Sequence, residues 1–101
     1  MTLKITNKEF DEIITNDNIT LIDFYADWCG PCRALSPIID EIAVEENDVT
    51  IGKVNVDTEK ELALRYKVRS IPTMIIFKGG KEISRMVGVL PKEEILTKIK
   101  L

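Results

Sequence analysis

Strand-like and helix-like patterns alternate along this chain, and this alternation limits the possible folds more than any other feature. Segment 19–26, Ile-Thr-Leu-Ile-Asp-Phe-Tyr-Ala, is β-branched and aromatic, with apolar residues at both parities. Such a pattern is typical of a strand covered on both faces. Segment 31–46 instead places its apolar residues on one helical stripe. A covered strand followed by an amphipathic helix predicts an α/β protein with helices on both faces of its sheet.

The rest of the chain continues the alternation, in the predicted order β-α-β-α-β-α-β-β-α. Strands are predicted at 3–5, 19–26, 49–56, 74–77 and 82–87, and helices at 8–15, 31–46, 59–66 and from Pro91 onward. Asn7 is the predicted N-cap of the first helix, and Gly79-Gly80 predicts a hairpin turn. The pattern indicates a mixed five-stranded sheet, parallel at first and antiparallel at the closing hairpin. The length fits one domain, 1–101.

Charge and histidine content exclude several classes of function. The chain has 14 Lys+Arg, 17 Asp+Glu and no histidine, for a net charge of -3. Nucleic acids and anionic membranes select clustered Lys and Arg, so we expect neither as a partner. Without histidine, the chain cannot form a Ser-His-Asp or Cys-His catalytic arrangement or a His-ligated metal site.

No segment is long and apolar enough to predict a membrane span or an export signal. The longest apolar run is Met74–Phe77, whereas a membrane helix needs about 20 residues and a signal peptide about 7–15. Residues 1–7 contain no such stretch. We therefore expect a cytoplasmic protein, in a compartment where thiols are mostly reduced, and we expect it to be a monomer.

The two cysteines occur together in Trp28-Cys29-Gly30-Pro31-Cys32, between the buried strand and the long helix. Zinc sites and iron–sulfur clusters need about four ligands, so either would require a second subunit. A structural disulfide would close a very short loop, and the chain-entropy model gives such a disulfide only about 2 kcal/mol of stabilisation. Inert buried thiols are a further alternative. We expect no metal and no bound cofactor.

The position of the cysteines favours a redox pair. Cys29 precedes the helix opened by Pro31, near unpaired N–H groups and the positive end of the helix dipole. Stabilising a thiolate by about 1.4 kcal/mol lowers its pKa by one unit, which raises the ionised fraction at pH 7 from about 3% to roughly a quarter. Cys32 is expected to be more buried and to attack Cys29 once a mixed disulfide forms. Gly30 and Pro31 keep the turn tight, so the sulfurs can bridge without backbone movement.

Segment 24–32, Phe-Tyr-Ala-Asp-Trp-Cys-Gly-Pro-Cys, resembles the active-site signature of the thioredoxin family. The resemblance covers essentially the whole chain, because Asp23 and segments 53–57 and 71–73 also match. The combination is more specific than a Cys-x-x-Cys pair alone. It implies a thioredoxin fold for the predicted α/β sheet.

The resemblance also implies roles for three polar or conformationally special residues. Asp23 interrupts an apolar strand, so we expect it to be partnered, protonated with a raised pKa, or hydrated. It is either a structural acid or, by resemblance, a base for Cys32 acting through water. Lys53 is either a solvated edge residue or, by resemblance, a neighbour of Asp23 that modulates its protonation. X–Pro bonds are normally trans, but the resemblance implies a cis Pro72 that faces the cysteines.

Substrate contacts follow from the same resemblance. The backbone of Ile71 would pair with an extended substrate segment, and Trp28, Ile71 and Gly88 would form an apolar rim. From the sequence alone, a core position for Trp28 is as well supported, since aromatic residues are usually buried. Arg33 and Tyr25 depart from residues common in the family, so the surface that meets partners is expected to differ.

Taken together, the residues and the resemblance predict a protein-disulfide reductase that cycles between a Cys29/Cys32 dithiol and disulfide. The chain has no nicotinamide-binding pattern, so its electrons would come from a partner, by resemblance a thioredoxin reductase. Protein substrates with exposed disulfides are the other expected partners. A disulfide oxidase or isomerase is an alternative, disfavoured by Gly30-Pro31 and the missing export signal. A non-catalytic binding subunit with idle thiols is the second alternative.

Overall fold

Five strands and four helices follow one another in the predicted order. This computed structural model describes residues 2–100. The elements are Thr2–Lys4 (β1), Asn7–Ile14 (α1), Ile19–Tyr25 (β2), Gly30–Glu45 (α2), Thr50–Asn55 (β3), Lys60–Arg65 (α3), Thr73–Lys78 (β4), Lys81–Val87 (β5) and Lys92–Ile99 (α4). Each predicted boundary lies within one residue of the observed one. The prediction of Asn7 as N-cap is wrong. Thr6 is the N-cap, and its N–H donates to the Glu9 carboxylate at 3.2 Å.

The strands form one mixed sheet in the order β1-β3-β2-β4-β5. β1, β3 and β2 are parallel, whereas β4 is antiparallel to both β2 and β5. Gly79 and Gly80 have φ values of 58° and 83° and join β4 to β5 in a two-residue turn. Positive φ at both turn positions is the geometry that glycine supplies most easily. The predicted mixed five-stranded sheet, with its parallel start and antiparallel closing hairpin, is confirmed.

Helices cover both faces of the sheet, as the apolar residues at both parities of β2 predicted. Leu21 of β2 packs in a cluster with α2 and α4, while Ile22 and Phe24 pack in a second cluster with α1 and α3. Side chains along a strand alternate between faces, so Asp23 lies on the same face as Leu21. Lys53 of β3 lies on this face too, because Ile51 belongs to the first cluster. The face covered by α2 therefore carries two ionisable side chains.

The order and direction of the strands bring distant segments together at one end of the central strands. β2 ends at Tyr25, and the chain then turns into α2, which has Pro31 in its first turn. Because β4 runs antiparallel to β2, with Phe24 opposite Thr73, the start of β4 lies at the same end. No helix within residues 2–100 has the length and apolar character of a membrane span.

Candidate active site

A disulfide joins Cys29 and Cys32 at the N-terminus of α2. Cys29 is the N-cap, and the N–H of Cys32 donates to its Sγ at 3.2 Å. The two Cα atoms are 5.2 Å apart, within the range that a disulfide spans. A helix N-terminus favours negative charge at this sulfur. The geometry therefore supports a reversible dithiol–disulfide pair whose first sulfur is stabilised as a thiolate.

The expectation that Cys32 is the more buried cysteine is wrong for the disulfide form. Both residues are 4% exposed and pack with Ala26. The bond itself covers part of each sulfur, and Ile71 packs against the pair. Access is therefore similar for both residues, and what sets Cys29 apart is its place at the helix N-terminus.

Ile71 packs against the disulfide, Pro72 is joined to Ile71 by a peptide bond, and Gly88 is linked to Pro72 by a hydrogen bond. The carbonyl oxygen of Ile71 is 3.9 Å from Cys29 Sγ, and the Ile71–Pro72 peptide bond is cis, as the resemblance implied. Gly88 N–H donates to the Pro72 carbonyl at 2.8 Å, which ties the end of β5 to this loop. The structure thus links Ile71 and Gly88, two residues assigned to substrate contact, although they come from distant segments.

Trp28 is 69% exposed, so the alternative of a core tryptophan is wrong. Its indole Nε1–H donates to Asp57 Oδ2 at 2.8 Å, which fixes the ring on the surface beside the cysteines. Asp57 lies in segment 53–57, which matches the family, but no role was predicted for its side chain. Only that match could have singled it out, because a contact across 29 residues leaves no local pattern.

Asp23 is buried on the α2 face of β2, at 1% exposure, and neither carboxylate oxygen has a hydrogen-bond partner. Burial disfavours the charged form and raises the pKa of Asp23 to about 6. The positive charge of Lys53 opposes this effect, while the negative charge of Asp40 adds to it by like-charge repulsion. Of the three expected states, the structure supports the raised pKa and contradicts a partnered carboxylate.

Lys53 stands directly opposite Asp23 in the β2–β3 register. The interpretation of Lys53 as an edge residue is wrong, because β3 lies between β1 and β2. The side chain is half-buried, and its Nζ donates to Ser36 Oγ at 2.5 Å and lies 5.6 Å from the centre of the Tyr25 ring. Ser36 is a site residue that sequence reasoning missed.

One cavity connects these side chains. It has a volume of about 320 Å³ and is lined by Asp23, Cys32, Ser36, Lys53 and Tyr25, among others. Water can occupy a polar cavity of this size. Among residues 2–100, no group of three or more Cys, Asp or Glu side chains is placed to hold a metal ion.

A family model described as Thioredoxin matches residues 1–101. A thioredoxin of Chlorobaculum thiosulfatiphilum is 49% identical over 96 residues, which is 93% of this chain and 89% of that protein. The chain belongs to the thioredoxin family. A solved thioredoxin variant from Halobacterium salinarum superposes with a TM-score of 0.91 at 34% identity, over 98% of this chain and 88% of that one.

A longer relative combines two functions in its description. The bifunctional thioredoxin reductase/thioredoxin of Mycobacterium leprae is 41% identical over 98 residues, which is 95% of this chain but 21% of that protein. Family membership and the Cys29–Cys32 disulfide together confirm the prediction of a thiol–disulfide reductase. None of these observations favours an oxidase, an isomerase or a non-catalytic subunit.

Proposed function

We propose that this thioredoxin-family chain carries electrons to cytoplasmic proteins, with Cys29 as the attacking thiolate. The observation that carries the assignment is the position of Cys29 as N-cap of α2, where the Cys32 N–H points at its sulfur. In the reduced protein the same N–H and the helix dipole favour a thiolate at Cys29. The thiolate is the species that attacks a disulfide.

The reaction proceeds in two exchanges of sulfur. Cys29 thiolate attacks one sulfur of a substrate disulfide, forms a mixed disulfide and releases the other substrate sulfur as a thiolate, which takes up a proton. Cys32 then loses its proton and attacks Cys29 Sγ, so that the second substrate sulfur leaves. Two electrons pass to the substrate, and the Cys29–Cys32 disulfide seen in the structure remains.

Asp23 is the group we assign to accept the Cys32 proton. Both residues line the same cavity, so water inside it can relay the proton. A base works best when its pKa is near the working pH, and burial raises the pKa of Asp23 to about 6. Its oxygens have no partner that would have to be displaced first. The charge of Lys53 keeps the ionised form accessible.

The substrate is held by the surface around the disulfide. Trp28 and Ile71 supply apolar contact, and Gly88 leaves open space beside them, since nothing lies within 4 Å of a methyl group placed there. The backbone of Ile71 pairs with an extended substrate segment, as in strand addition. Pro72, Gly30 and Pro31 shape the backbone on either side of the sulfurs.

A thioredoxin reductase is the partner we assign to return the chain to its dithiol form. Support comes from the Mycobacterium leprae relative, whose description names both functions in one protein. The disulfide found here is the form such a reductase would act upon.

Trapping of mixed disulfides tests the roles of the two cysteines. Cys32→Ser leaves the attacking sulfur without its resolving partner, so we expect covalent complexes with protein disulfides that dithiothreitol releases. Cys29→Ser is the matched control and is expected to trap none. We expect the parent protein to accelerate the reduction of insulin by dithiothreitol, and neither variant to do so. Trapping by Cys29→Ser alone would reverse the assignment.

A further inference from the structure

Ser36 presents its hydroxyl to the cavity one helical turn after Cys32. Residues four apart on a helix lie on the same face, and both residues line the cavity. Ser36 Oγ accepts a hydrogen bond from Lys53 Nζ at 2.5 Å. This contact joins α2 to β3, the strand next to that of Asp23.

The Lys53 ammonium does not contact the carboxylate opposite it. Asp23 and Lys53 are register partners on neighbouring strands, yet both oxygens of Asp23 lack a hydrogen-bond partner. The ammonium instead has two contacts from other positions, the hydroxyl of Ser36 and the ring of Tyr25. Its charge reaches Asp23 through space, which lowers the carboxyl pKa against the effect of burial.

A lysine ammonium in this position tends to move toward water. The side chain has four flexible methylene groups and a strongly hydrated head, which normally extends into solvent when its stem is partly buried. A cation over an aromatic ring at a partly exposed site is only weakly stabilised. A hydrogen bond from a charged donor to a hydroxyl stabilises it more strongly. Ser36 is therefore the stronger of the two contacts that hold the ammonium.

We propose that Ser36 is a positioning residue, which retains the Lys53 ammonium inside the cavity where its charge acts on Asp23. The proposal rests on the function assigned to Asp23 above for its catalytic meaning, though the geometry stands without it. Loss of the hydroxyl releases the ammonium to solvent. Asp23 then loses the positive charge that offsets its burial.

Other charged groups face Asp23 and Lys53 from the surrounding elements. They are Lys4 of β1, Asp27 between β2 and α2, Arg33 and Asp40 of α2, and Glu59 before α3. They are unchanged in the experiment, because only Ser36 or Lys53 is substituted. A difference between variants therefore reports the position of one ammonium.

Titration of the Asp23 carboxyl carbon by NMR, in the oxidised protein, tests this directly. For Ser36→Ala we expect the acid dissociation constant of Asp23 to fall by about threefold, because the ionised form loses a favourable charge. Ser36→Thr keeps the hydroxyl and is expected to titrate like the parent. Lys53→Met gives the same or a larger fall. The double variant, Ser36→Ala with Lys53→Met, is expected to have the same Asp23 dissociation constant as Lys53→Met alone, because Ser36 acts through Lys53.

Ser84→Ala is the matched control, since it makes the same chemical change on β5, away from the cavity. An unchanged or larger dissociation constant in Ser36→Ala would overturn the proposal, as would an unchanged constant in Lys53→Met. Oxidised protein needs no turnover, so the titration is independent of the assigned catalytic roles. If the acid dissociation constant of Asp23 falls as expected but the pH profile of substrate release from the mixed disulfide is unchanged, Ser36 positions Lys53 as proposed and Asp23 is not the base.

Discussion

Asp23 combines near-complete burial with two carboxylate oxygens that have no hydrogen-bond partner. Burying a carboxyl group in this way favours its neutral form. Because the pKa of Asp23 is raised to about 6, the folded protein holds this proton more tightly than the unfolded chain does. The residue therefore links folding stability to pH as well as serving the proposed proton transfer.

The sign of this link follows from the two pKa values. Below the ordinary value of 3.8, Asp23 is protonated in both states, and its neutral form adds no penalty to folding. As the pH rises from about 4 through about 6, the unfolded chain ionises first and stability falls, by about 3 kcal/mol in total. We expect Asp23→Asn to remove this decline. Urea unfolding of the oxidised protein and of the variant across a pH series measures the free energy of unfolding and hence this decline.

Asp48→Asn provides the control, because Asp48 is exposed and lies far from the cavity. It should retain the decline between pH 4 and pH 7. A parent protein whose unfolding free energy is flat across that range, or a decline that survives Asp23→Asn, would contradict the assignment of a raised pKa to Asp23.

For the helices and strands, the local sequence pattern was enough to predict the type and the length of each element. Period-two and helical apolar spacing, together with glycine and proline, gave every boundary within one residue. The N-cap was missed because Asn7 and Thr6 are both good capping residues, and only the Glu9 contact distinguishes them. The contact of Ser36 with Lys53 was out of reach, since it depends on how α2 packs over the register of β3.

Gly52 shows how one position in β3 controls the packing of β1. A methyl group on Gly52 would overlap Ile5 Cδ1 and come within 3.4 Å of Ile22 Cδ1. Ile5 is 3% exposed and belongs to the cluster under α1 and α3. Glycine in a strand interior often marks such a close approach. Here it lets the residue after β1 reach the core.

We therefore expect Gly52→Ala to lower the free energy of unfolding by about 1–3 kcal/mol, because Ile5 must leave its place. Ile5→Ala alone should cost about 2–5 kcal/mol through the cavity it leaves. In the double variant the new methyl group occupies part of that cavity, so the loss should be smaller than the sum. Urea unfolding at one pH measures all three variants. Strictly additive losses would show that the two residues do not compete for this space.

Across the whole molecule, the disulfide lies where the end of β2, the start of β4 and the end of β5 meet. The exposed apolar residues Trp28, Val87 and Val89 lie in or next to these segments. The pairing of Cys29 with Cys32 was predictable from a five-residue segment. The surface around it was predictable only through family resemblance, because Ile71 meets Cys29 across 42 residues and Gly88 bonds to Pro72 only in the folded sheet.

Gly88 offers a test of that surface as a docking site for substrate. Gly88 and Gly79 both have positive φ, at 91° and 58°, and a side chain on either would enter open space. Each replacement by aspartate therefore strains the backbone by about 1–2 kcal/mol or more, and the strain is larger at Gly88, whose φ lies outside the left-handed region. Only Gly88→Asp also puts a charge on the surface proposed to hold substrate, where a docked substrate would strip it of water. We expect that variant to lose at least about tenfold in kcat/KM for insulin reduction.

Gly79→Asp changes the hairpin at the other end of β5, so its kcat/KM should stay within about twofold of the parent value. Gly88→Ala separates backbone strain from charge, because it shares the positive φ without the carboxylate. We expect Gly88→Ala to lose less kcat/KM than Gly88→Asp, and the loss in Gly88→Asp to appear mainly in KM, since the charge opposes docking rather than sulfur exchange. Equal kcat/KM values for the Gly88→Asp and Gly79→Asp variants would mean that substrates approach Cys29 from another side.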